Sequence, residues 1–213
     1  MRGITKGAEP TSLTAHRQSI QCDYYNYQGK PDLRHALVTE QRGLCCYCMG
    51  RIHNGPDGMK IEHWQCQSRY GAEQLSYRNL LGACLGGEGQ PLHGQHCDTR
   101  KADRDLQWNP AEPVHHIETR LRYEGDGSIR SDEPGFDDQL SMVLNLNLAR
   151  LKSNRKGVLD AILDWWKRER SRLHGPVPRD RFERERRQRA DECQPYCQVA
   201  VWWLDQRLAR MAA

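Results

Sequence analysis

Cys45-Cys46-Tyr47-Cys48 holds a C-x-x-C pair, Cys45 and Cys48. Two intervening residues let both sulfurs turn toward one ion as a knuckle. Cys84 and Cys97 are the candidates to complete a tetrahedron, across an insert rich in glycine (Gly86, Gly87, Gly89, Gly94). That insert is wider than the usual second C-x-x-C, so His93, His96 and Cys66 stand as rival fourth ligands. Nine cysteines is an odd number, against a disulfide scaffold, and five of them lie between Cys45 and Cys84. Metal ligation is the better use for such clustered thiols. A thioredoxin-like redox pair is the weaker alternative, because no βαβ pattern surrounds it.

Between the cysteine pairs stands Ile61-Glu62-His63-Trp64. A carboxylate beside an imidazole supplies what phosphodiester hydrolysis requires: one group to hold a cation, another to take a proton from water. Tyr77-Arg78-Asn79-Leu80-Leu81 follows, then Cys84, then Cys97-Asp98-Thr99-Arg100-Lys101. In this order the motifs resemble the HNH endonuclease family, whose ββα-metal fold holds one catalytic divalent cation and often a four-cysteine zinc. The wide second cysteine pair is similar to the PtuB-like nucleases of Septu-type anti-phage systems, also found with retrons. So are the helix before Cys45, the stretch Leu144-Asn145-Leu146-Asn147 and the aromatic last helix with Trp202 and Trp203. The resemblance covers about residues 30–211.

The resemblance implies a role for each matching residue. His63 is the general base and Glu62 a ligand of the catalytic cation. Asn79 orients the histidine. Asp98, at a position often His or Asn in the family, is the second cation ligand. Lys101, one turn on, contacts phosphate. Cys45, Cys48, Cys84 and Cys97 bind structural Zn²⁺. Two carboxylates form a hard oxygen site suited to Mg²⁺ or Mn²⁺. A general base at His63 implies that activity falls as the imidazole protonates on acidification. The implied setting is anti-phage defence, with a nucleic-acid substrate (DNA ahead of RNA such as tRNA) and a PtuA-like ABC-type ATPase. A retron reverse transcriptase with its RNA/DNA is a further implied partner. The chain has no G-x-x-x-x-G-K-[ST] run, so nucleotide control would come from such a partner. A rival reading is a zinc adaptor without catalysis, in which Glu62, His63 and Asp98 do not converge.

These residues need elements to position them. The expected fold class is α+β: a ββα-metal core with its four-cysteine zinc site, framed by N- and C-terminal helices. Residues 1–30 read as an irregular arm and 31–112 as the nuclease core with a leading helix. Residues 113–213 read as a hairpin and helical region for partner docking. Pro31 opens the leading helix and Gly43 closes it. A short strand is expected at Lys60–Trp64. Ile117, Thr119, Leu121 and Tyr123 alternate before Gly125-Asp126-Gly127, a hairpin signal with Ser128-Ile129-Arg130 returning. Leu148, Leu151, Val158, Leu159, Ile162, Leu163 and Trp166 predict a helix from Asn147. Gly175-Pro176-Val177-Pro178 breaks the chain, a basic helix starts near Arg179, and a last helix follows Pro195.

Composition sets the outer bounds. The 213 residues carry 37% hydrophobic and 28% charged side chains and a net charge of +4. No apolar run approaches the roughly 20 residues of a membrane span. The first residues lead into no hydrophobic segment, so a cytoplasmic location is expected. Residues 167–189 hold ten basic and four acidic side chains, a net +6. That block suits either a nucleic-acid grip or a solvated helix face with internal ion pairs. Trp165, Trp166, Trp202 and Trp203 are expected chiefly in the core, with one of each adjacent pair turned to a partner surface. Cys193 and Cys197, one helical turn apart, are expected to pack rather than bind metal.

Overall fold

A computed structural model describes residues 1–211. Helices and two small antiparallel sheets alternate along the chain, and the four-cysteine cluster lies between the first sheet and the helix that follows it. The N-terminal arm contains a helix, α1 (Thr11–Arg17), where the sequence suggests only irregular chain. Its one buried residue is Leu13. Helix α2 (Lys30–Glu40) begins with Pro31 in its first turn, where a missing N–H costs nothing, and buries Leu33 and Leu37. Strands β1 (Lys60–His63) and β2 (Leu80–Ala83) pair antiparallel, with Glu62 opposite Leu81 and His63 opposite Leu80. Helix α3 (Cys97–Lys101) closes this unit.

Gln41, just past α2, clamps the sheet. Its amide nitrogen donates to the carbonyls of Leu44 at 2.8 Å and Gly82 at 2.7 Å, and its oxygen accepts from Gly82 N at 2.6 Å. One buried side chain thereby satisfies three backbone groups that water does not reach.

The second hairpin is shorter than its alternation suggests. Ile117–Arg120 winds into a 3₁₀ turn, leaving β3 (Arg122–Tyr123) and β4 (Ile129–Arg130). Alternation at residues 117–121 therefore reflects burial of Ile117 and Leu121 on turns of the chain, not a strand. Helix α4 (Pro134–Asp138) runs into a π-helical turn at Gln139–Val143. The Leu144–Asn147 stretch then stitches segments together. Asn145 Nδ2 donates to the carbonyls of His93 and Gln95, and the Asn147 amide exchanges two hydrogen bonds with the Ile129 backbone.

The long helix α5 (Ala149–Leu173) packs on α7 (Gln198–Arg210), which in turn packs on α6 (Arg179–Glu192). Arg155 of α5 is buried, and its guanidinium donates to Gly127 O at 2.6 Å and Leu146 O at 2.7 Å. Gly127 has φ +84°, and a Cβ there would meet Lys152 O at 2.1 Å, so the hairpin turn fits under α5 only without a side chain. Much of the basic block is internally paired: Arg172, Arg179, Arg181, Arg184, Arg186 and Arg189 each meet a carboxylate of α5, α6 or α7. Trp203 is buried, with Trp166 packed edge-on at 6.0 Å, and Trp202 lies edge-on to Tyr123 at 5.6 Å. Cys193 and Cys197 are buried in a satellite cluster with Leu44 and Met49. Among the described residues no helix is long and apolar enough to cross a membrane.

Candidate metal centre and adjoining acid–base pocket

Cys45 and Cys48 lie in a tight turn in which Cys45 N donates to Gly50 O and Met49 N to Cys45 O. Cys84 follows β2 directly, and Cys97 opens α3. The glycine insert makes the return possible. Gly86 has φ +60°, and a Cβ there would lie 2.2 Å from His96 O. The ligand atoms of all four cysteines fall within 4.8 Å of one another. Cys45 and Cys97 are 3.9 Å apart, and Cys48 and Cys84 are 3.7 Å apart, sulfur to sulfur. A tetrahedron with metal–sulfur bonds of about 2.3 Å has edges of about 3.8 Å, so this set fits one ion. Burial resists a thiolate at Cys45, yet hydrogen bonds from Cys46, Cys48, Cys84 and Cys97 outweigh it and hold its pKa well below the usual thiol value.

Of the rival ligands, His96 comes nearest. Its Nδ1 is 3.1 Å from Cys97 Sγ, while Nε2 is 2.9 Å from Arg150 of α5. A guanidinium only donates, so Nε2 accepts and Nδ1–H points at the sulfur. His96 thus hydrogen-bonds the cluster and links it to Arg150, whose positive charge offsets thiolate charge. Cys66 lies elsewhere, beside Ser68 and the Asp103 carbonyl, and His93 is exposed.

On β1, Glu62 and His63 face opposite ways, as strand geometry requires. Glu62 is 2% exposed. Its Oε1 accepts from Tyr47 Oη at 2.6 Å and pairs with Lys101 Nζ at 2.9 Å. Burial raises the Glu62 pKa well above the carboxylate range, the adjacent Asp98 carboxylate raises it further, and Lys101 and Tyr47 pull against both. The Glu62 and Asp98 carboxylates are therefore near neighbours, where β1 meets α3. Lys101 differs from its sequence-based role. Its side chain is buried between Glu62 and the His63 carbonyl, 3.1 Å away, and does not present itself to an external phosphate. The physical reason is the buried carboxylate of Glu62, which draws in a cation.

The other face of β1 carries the imidazole of His63, 6% exposed. Nε2 is 3.0 Å from Gln74 O, so this nitrogen carries the proton and donates it. Nδ1 is left as the acceptor, 3.4 Å from the Gln67 amide nitrogen. Burial lowers the His63 pKa to about 4, against a hydrogen bond to Gln74 that raises it. The ring stays neutral across the physiological range. Gln67 Oε1 is buried beside it without a hydrogen-bond partner. Asn79 fixes the loop between the strands: Oδ1 accepts from Gln65 N at 2.7 Å, and Nδ2 donates to the carbonyls of Gln65 and Glu73, both at 3.0 Å. That loop carries the Gln74 carbonyl on which His63 depends.

The N-terminal arm reaches this pocket, which no sequence signal announces. The Tyr24 ring meets His63 edge-on at 4.5 Å, and Tyr24 N donates to the Gln74 side chain at 3.1 Å. Tyr47 and Tyr24 are thus pocket residues that spacing alone does not identify. Among the described residues the four cysteines are the one group of three or more potential ligand side chains gathered this closely. His63 is not part of the Glu62–Asp98 pair. Comparison with known proteins finds no matching family model and no matching curated protein.

Proposed function

We propose that this chain is a metal-dependent endonuclease of HNH type that hydrolyses phosphodiester bonds in nucleic acid, DNA ahead of RNA. The observation that carries the reading is His63. Its Nε2–H is committed to Gln74 O, its Nδ1 is the unprotonated nitrogen with only a 3.4 Å contact to the Gln67 amide, and its strand also carries Glu62, beside the Asp98 carboxylate. Such a ring, kept neutral by burial, serves as a general base. His63 takes the proton of the attacking water at Nδ1. Asn79 holds the loop whose carbonyl fixes the ring's tautomer. Glu62 and Asp98 would hold one Mg²⁺ or Mn²⁺, which supplies charge neutralisation at the scissile phosphate. The four cysteines would hold zinc, tying the Cys45–Cys48 turn to the end of β2 and the start of α3. The proposed setting is cytoplasmic anti-phage defence with an ABC-type ATPase, in Septu- or retron-like systems, and the C-terminal helices as docking surface.

A second reading has its own support. Lys101 already neutralises Glu62, and Tyr24 covers the imidazole, as a zinc adaptor without catalysis would allow. The deciding experiment incubates the purified protein, alone and with its co-purifying ATPase, with plasmid DNA, single-stranded DNA and tRNA in Mg²⁺ or Mn²⁺. The nuclease reading expects cleavage that His63→Ala abolishes while zinc content and the fold stay intact. Cleavage unchanged in His63→Ala, or none with any substrate in the complex, favours the adaptor. The substrate that is cut separates DNA from RNA.

A further inference from the structure

The far end of α5 carries a second feature, remote from the carboxylate pair and the sulfur cluster. Where α5 ends, α6 begins and α7 finishes, a cavity of about 360 Å³ is lined by Trp166, Arg170, Val177, Phe182, Arg207 and Arg210, among others. That volume lies within the range of small-ligand clefts, roughly 300–1,000 Å³. The Arg207 guanidinium lies 4.8 Å from the Trp166 ring centre and 4.9 Å from that of Trp203, and Arg170 lies 5.1 Å from Trp166. Unlike the neighbouring arginines of α6, these two and Arg210 have no carboxylate partner among the described residues. Three positive charges with no counter-ion among the described residues thus surround an aromatic and aliphatic floor.

From this geometry we propose that the cavity binds a nucleoside phosphate unit, with its base on the aromatic–guanidinium stack and its phosphate between the arginines. Flat rings stack on Trp and on guanidinium planes, and arginine forks match phosphate oxygens. An apolar ligand would leave the three charges uncompensated. A peptide strand would lack a backbone edge to join, because the walls are helices and a proline-containing turn. The occupant is either a free nucleotide or one unit of a strand. The strand form deepens the nuclease reading and rests on it. At 1.5 Å per residue, Arg170 lies about 30 Å along α5 from Arg150, which touches the sulfur cluster through His96. That span equals about nine duplex steps of 3.4 Å, so a strand held here would be gripped well away from the scissile bond.

The test is calorimetric titration of the zinc-loaded full chain carrying His63→Ala, so that binding is read without cleavage. The probes are adenosine 5′-monophosphate, inorganic phosphate, an eight-nucleotide single strand and an Asp/Glu-rich peptide. The nucleotide is expected to bind at least tenfold more tightly than phosphate. Arg170→Gln and Arg210→Gln are each expected to weaken it about tenfold, and Arg168→Gln, an equal loss of charge two residues earlier and so on the other side of α5, less than twofold. A strand that binds tenfold more tightly than the mononucleotide identifies a strand site, and equal affinities identify a free-nucleotide site. No saturable nucleotide binding, an equal loss in Arg168→Gln, or peptide binding as tight as the nucleotide overturns the proposal. Cleavage by the chain with native His63 is measured separately. Lost binding with intact cleavage removes only the cavity, and intact binding without cleavage removes only the nuclease reading.

Discussion

Individual residues show where spacing is informative and where it is not. The four cysteines were readable because a C-x-x-C turn constrains two sulfurs, and glycines supply the tight return to Cys97. Lys101 was not. A lysine at the end of a short helix reads as a solvent-facing charge, and only the three-dimensional placement of buried Glu62 explains its 0% exposure. Tyr24 lies 39 positions before His63, in a polar arm with no periodicity to read, so its contact was invisible as well. His63 makes a prediction. Burial lowers its folded pKa from 6.5 to about 4, so between these values the unfolded chain binds the extra proton. Its contribution is intact above about pH 6.5 and is lost as pH falls toward 4, a difference of about 3 kcal/mol. Urea midpoints from pH 7.5 to 4 are expected to fall more steeply for the native chain than for His63→Gln, and parallel curves would refute this. The same burial moves the acid limit expected of a His63-dependent activity below the ordinary imidazole range.

At the scale of elements, α2, β1 and the three C-terminal helices follow their periodicity and breakers closely. The overextended hairpin has a physical cause: a 3₁₀ turn that buries Ile117 and Leu121 mimics alternation over five residues. Gln41 is the element-level link with the clearest cost. Gln41→Ala leaves the buried Gly82 N–H and the Leu44 carbonyl without their partners, while the Gly82 carbonyl keeps the hydrogen bond from Cys46 N. A loss of about 2–4 kcal/mol is expected from chemical denaturation, with zinc content retained. Gly127→Ala is expected to destabilise comparably or more, because its Cβ meets the backbone of α5 rather than a movable side chain. A change below about 0.5 kcal/mol in either variant would show that the segment relaxes freely.

Across the whole molecule, the sulfur cluster joins several segments: the turn after α2, the end of β2, the start of α3 and, through His96, helix α5. Elemental analysis is expected to give one zinc per chain. Removing it at neutral pH is expected to lower the melting temperature by more than about 10 °C, and Cys84→Ser to reproduce the loss. A metal-free preparation with unchanged melting would mean that thiol packing alone suffices. The Arg150–His96 contact has a mechanical corollary. With Arg155 holding the hairpin turn one and a half turns further on, α5 is anchored at its root, while its tip carries the arginine-lined cavity. At about 37 Å long and packed along α7, the helix is a stiff link between these two ends. An occupant of the cavity and the imidazole that touches the sulfurs thus sit on one continuous helix, at opposite ends of it.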